Sequence, residues 1–156
     1  MYAEVCDHLL ELVKRATDGD GKPLCSIGGS TVQRDRECVV REVPENVSID
    51  TSSTSVMGRT GARGCYRIVF SVGIELWAKT RGLEEASALV TGWFERICSE
   101  VAADKTLGGL VVKAEPYYSQ GGSAADNNKA LYTVAIDMGV RVKADIVPVK
   151  DETKEQ

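Results

Sequence analysis

The sequence predicts an α+β fold: a two-layer sandwich of a mainly antiparallel sheet with two helices on one face. Three patterns point to it. Two segments carry apolar residues at helical spacing, two long segments alternate strictly, and stretches rich in Gly, Ser and Asp join them. The chain has 156 residues, enough for one core, so a single domain is expected over residues 1–149 with a disordered charged tail over 150–156.

From Tyr2 to Ala16 the apolar residues Tyr2, Val5, Cys6, Leu9, Leu12 and Val13 recur every three or four positions, which makes an amphipathic helix. Thr17 to Pro23 supplies turn residues that end it. A short strand is expected at Leu24–Ile27 and a valine-rich one from Glu37 to Val43, stopped by Pro44. Glu45 to Gly64, dominated by Ser, Thr, Gly and Arg, reads as a loop of about 20 residues, a length that in a compact domain calls for a functional reason.

Arg67 to Ala78 is the clearest strand, with Ile68, Phe70, Val72, Ile74, Leu76 and Ala78 on one face. A second helix runs from about Leu83 to Ala103, its apolar side built from Leu83, Ala86, Leu89, Val90, Phe94, Ile97, Cys98 and Val101. Glu84 and Glu85 sit in its first turn, where the helix dipole favours negative charge. A strand over Leu110 to Tyr117 follows, then a hairpin loop over Ser119 to Lys129. From Leu131 to Val147 the even positions are apolar. A strand of that extent would be about 50 Å long, so it must bend, bulge near Gly139 or project beyond its domain. The sheet face away from the helices would present Val69, Ser71, Trp77, Thr133, Ala135 and Gly139. That mixture, neither wet nor greasy, suits contact with another subunit. Trp77, Thr133 and Ala135 are the candidate contact residues.

Composition limits the function classes. Apolar residues make up 43% and charged residues 27%, as in ordinary folded domains. No apolar run reaches the roughly 20 residues that cross a bilayer, and no export leader is recognisable, so no membrane is expected. The formal charge of -4 argues against general nucleic-acid binding. The five cysteines, Cys6, Cys25, Cys38, Cys65 and Cys98, form no C-x-x-C pair and read as reduced thiols, with no metal or cofactor implied. His8 is the single histidine and has no partner in sequence, so a catalytic role is not expected. Gly58 to Gly64 lacks the Lys and the following helix of a phosphate loop. Arg59 and Arg63 in it are candidate contacts for an acidic partner or a phosphate backbone, set against the plainer reading of a solvated flexible loop. Glu84–Glu85 and Asp18–Asp20 read as dipole and turn chemistry, and Cys65 as structural. No enzymatic activity is expected.

Asp104-Lys105-Thr106-Leu107-Gly108-Gly109-Leu110 is the most individual segment. An Asx-turn at Asp104, positive φ at a glycine and Leu107 folded back on the helix would make it a helix stop. In Val101 to Val111, after a long amphipathic helix and before two alternating strands, the chain resembles tail-terminator and minor tail proteins of siphophages, most clearly from Leu83 to Val147. The resemblance carries Asp104, Thr106, Leu107, Gly108 and Gly109. It implies a homo-hexameric ring that caps the tail tube, contacts the tail-tube protein and the head connector, and lets DNA pass without specific binding. The location implied is the virion tail, after assembly in the bacterial cytoplasm. Another neck or minor tail role, a soluble ligand-binding α+β protein, and a thiol enzyme using Cys65 or Cys98 are the other classes.

Overall fold

The computed structural model describes residues 1–29, 35–50, 66–126 and 130–146. Among them are two helices, α1 (Tyr2–Thr17) and α2 (Leu83–Ala103), and six strands. These are β1 (Leu24–Ile27), β2 (Arg36–Val40), β3 (Glu45–Asp50), β4 (Tyr66–Thr80), β5 (Lys113–Asp126) and β6 (Leu131–Ile146). They form one sheet in the order β1-β2-β4-β6-β5, with β3 paired beside β2 along the other half of β4. All pairings are antiparallel except β1 with β2, which is parallel. The expected α+β sandwich is the observed fold, with α1 over β1 and β2, and α2 over β4, β6 and β5.

The core follows from the two periods. Val5, Leu9, Leu12 and Val13 of α1 meet Val90, Trp93, Ile97 and Val101 of α2 above Phe70, Val72, Ile74 and Leu76 of β4 and Met138, Val140 and Val142 of β6. Each of these side chains is essentially removed from water, which contributes roughly 1.5–3 kcal/mol apiece for the larger ones. Trp93, absent from the expected apolar stripe, is the largest fully buried side chain. Its indole N–H donates to the Asp20 carbonyl at 3.0 Å. That bond lets an amphipathic ring be buried whole, whereas Leu83, expected on the stripe, is 43% exposed.

Four expectations need correction. Glu45–Asp50 is strand rather than loop, paired to Arg67–Ser71 of β4 although every residue of it is exposed; the rest of that expected loop lies outside the described residues. The expected strand over Leu110 to Tyr117 starts only at Lys113, because Leu107 to Val111 are bonded into the turn. Ser119–Asp126 is strand rather than hairpin loop, so β5 runs for 14 residues. The last strand does not project: β6 is paired with β4 from Tyr132 to Ile146 and with β5 from Leu131 to Lys143. Its length is matched by a 15-residue β4, and the bulge falls not at Gly139 but in β5, between Tyr118 and Gln120. Residues 150–156 lie outside the described residues.

The layers differ in length. At 1.5 Å per residue α2 covers about 31 Å, while β6 extends over roughly 50 Å. Part of the sheet must therefore lie beyond the helices, and it is the β5–β6 end. There, Tyr118 to Ala125 are all exposed.

Candidate functional site

The sheet face away from the helices is organised by register. Trp77 is paired with Ala135, Glu75 with Asp137, Gly73 with Gly139, Ser71 with Arg141 and Arg67 with Asp145. In the middle, Gly73 and Gly139 leave bare backbone that larger neighbours fill. A Cβ on Gly139 would stand 2.5–2.8 Å from the Tyr117 ring and hydroxyl, so glycine is needed here for close approach. One half of the face carries charge: Arg67 meets Asp145 at 3.1 Å, Lys113 meets Glu115 at 2.6 Å and Arg41 meets Glu75. Lys113, reinforced by Lys143 and Arg141, holds the Glu115 carboxyl below its usual range. Such exposed pairs add little stability, but they keep this half wet.

The other half is smooth. Gly122 is paired with Ala135 and Ala124 with Thr133, and with Gln120 and Asp137 they line a shallow depression of about 340 Å³. The candidate contact residues Trp77, Thr133 and Ala135 thus fall together on one half of one face, each half-buried. Beside them the bulge at Ser119 turns β5 over. Before it, Tyr118 is paired with Met138 and lies edge-on to Phe94 of α2, ring centres 5.8 Å apart. Beyond it, β5 has β6 on one side and no further strand among the described residues on the other. An edge of this kind offers unpaired N–H and C=O groups to another chain. Arg59 and Arg63, the candidate partner-contact residues, lie outside the described residues.

The turn after α2 is more firmly built than a helix stop requires. Asp104 Oδ1 accepts from the Gly108 N–H at 2.9 Å, the Thr106 carbonyl accepts from Gly109 and Val111, and Leu107 is fully buried. Positive φ occurs at Leu107, Gly108 and Gly109 alike. The second carboxylate oxygen of Asp104 meets His8 Nε2 at 2.7 Å, tying the turn to α1. The Gly108 amide first, and then His8, hold the Asp104 carboxyl below its usual range. The two residues are 96 apart in sequence, and nothing near His8 announces the contact.

A second pairing was also hidden. Cys25 and Cys38 are register partners on β1 and β2; Cys38 is fully buried and Cys25 half-buried. The neighbouring Cys38 thiol lowers the Cys25 pKa to about 7, aided by Thr17, while Cys38 is pushed far up. Among the described cysteines, Cys25 is the one whose thiol pKa is lowered. Burial instead raises the pKa of Cys98, and Cys65 lies outside the described residues. Among the described residues no group of three His, Cys, Asp or Glu is placed to hold a metal ion, and no helix is long and apolar enough to cross a membrane.

The chain matches no protein-family model and no curated protein. Among solved structures, a chain of the virion of native gene transfer agent (GTA) particle is similar over 92% of this chain and 95% of that one, at 13% identity and a TM-score of 0.40. A likeness that loose transfers no role.

Proposed function

We propose that this chain is a structural virion protein that works by assembling with copies of itself, in the manner of the tail terminator that rings the end of a phage tail tube and meets the head connector. The observation that carries the reading is the outer half of β5. Tyr118 to Ala125 are exposed on both faces of an edge strand, beside a smooth sheet surface of Gly122, Ala124, Thr133 and Ala135. A lone domain gains little from holding eight such residues in a strand against their conformational entropy; a neighbouring copy that pairs with the edge or packs on the face supplies the missing contacts. In this reading the chain acts through contact surfaces and not through catalysis. Its single histidine is engaged in a turn. The resemblance in Val101 to Val111 is what favours the terminator among virion roles.

Solution mass by light scattering, with and without assembled tail tubes, tests the reading. A Cβ at Gly122 meets nothing within 4 Å, so Gly122→Glu should fold and melt like the parent yet fail to associate, and Thr133→Glu should behave likewise. A parent that stays monomeric at high concentration and in the presence of tubes would refute it.

A further inference from the structure

The open sheet face holds a second feature, on the β2–β4 pair, that the assembly reading does not use. Glu37 of β2 is paired with Trp77 of β4, and both line a cavity of about 540 Å³ together with Arg41, Glu42, Glu45 and Glu75. Glu37 is only 1% exposed, and its Oε1 has no hydrogen-bond partner among the described residues. A buried carboxylate oxygen left unpaired is costly, and native proteins seldom keep one without a role for it. What the oxygen lacks among the described residues is a donor. The surroundings specify the charge of that donor, since among the described lining residues four carboxylates face one guanidinium, and Arg41 is already engaged by Glu75. The indole of Trp77 adds an aromatic wall, which attracts cations through its ring quadrupole. The volume lies within the range of small-ligand sites.

We propose that this cavity is a binding site for an organic cation bearing a guanidinium or primary ammonium group, whose N–H donates to Glu37 Oε1 while its charge rests against Trp77 and Glu75. The occupant is either a free polyamine-like molecule or an arginine or lysine side chain offered by another protein chain; the chemistry recognised is the same. The site does not depend on the virion reading.

The test follows the two tryptophan indole N–H signals by NMR while cations are added to the full chain. Trp93 is buried in the core and serves as an internal reference. Methylguanidinium should shift the Trp77 signal and leave Trp93 in place, whereas tetramethylammonium, which has charge but no N–H, should bind less well. Glu37→Gln should weaken methylguanidinium about tenfold or more, as expected for loss of a charge-assisted hydrogen bond. Glu75→Gln, which leaves the buried position untouched, should weaken it less and serves if the first variant misfolds. Spermidine binding tighter than acetyl-arginine amide would identify a free cation as the occupant, and the reverse order a protein side chain. A Trp77 signal that no cation moves, as when one of the chain's own basic groups closes the cavity, would overturn the proposal. So would equal binding by Glu37→Gln and the parent.

Discussion

Replacing Gly108 by Ala should cost clearly more than replacing Gly109, although both glycines hold positive φ. At Gly109, with φ +90°, a Cβ would meet nothing within 4 Å, so Gly109→Ala carries only the backbone cost of a left-handed L-residue, about 1–2 kcal/mol. Gly108, with φ +68°, carries the same cost and a steric one, because its Cβ would stand 3.0 Å from His8 Cε1. His8 can retreat only by lengthening its 2.7 Å contact with Asp104. Hydrogen bonds to charged groups are worth about 1.5–3 kcal/mol when buried; both partners here are 31% exposed, so solvent screening reduces this to roughly 1 kcal/mol. The expected totals are about 2–3 kcal/mol for Gly108→Ala and 1–2 kcal/mol for Gly109→Ala. At roughly 2–4 °C per kcal/mol for a chain of this size, the first should lower the melting temperature by about 5–10 °C. The assay is thermal and urea unfolding of both variants, each repeated on a His8→Ala background. There the steric part vanishes, so the difference between the glycine positions should close. Equal costs at the two positions with His8 present would refute the argument, as would a difference that survives its removal.

Asp104 gives a pH test of the same turn. Its folded pKa is depressed, so the stability it contributes is fully present above its ordinary value of 3.8 and fades as pH falls through the lower folded value; the urea midpoint gap between the parent and Asp104→Asn should be open at pH 6 and shrink in acid, and a gap independent of pH would contradict this. Cys25 should be alkylated by iodoacetamide near pH 7.5 well before Cys6, Cys38 and Cys98, because its thiol alone among these four is lowered; peptide mapping that finds Cys38 or Cys98 modified first would count against the β1–β2 pairing. Gly139→Val must displace the Tyr117 ring and should destabilise by about 2 kcal/mol or more, an effect that Tyr117→Ala on the same chain should largely relieve when both are compared by urea unfolding.

The elements legible in the sequence are those whose two sides meet different surroundings. β4 and β6 alternate because one face meets α1 and α2 and the other does not, and α2 reads as a helix because half of it is in the core. Trp93 escaped because a residue with a polar atom is not assigned to the interior unless its partner is known, and Asp20 lies 73 positions away. His8 with Asp104 and Cys25 with Cys38 escaped for the same reason, since only the folded chain brings them together. Tyr118 to Asp126 escaped for another. A strand bathed by solvent on both faces is under no pressure to alternate, and Gly121, Gly122, Ser123, Ala124 and Ala125 show no period at all; their extended form is imposed by pairing with β6. The bulge at Ser119 then shifts the parity of whatever pattern remained. That same double exposure is what leaves the segment available. A stretch that owes its strand form to one neighbour, and has nothing on its other edge among the described strands, can accept a second neighbour in the same way. The feature that hid this strand from the sequence is therefore the feature on which its proposed role in assembly rests.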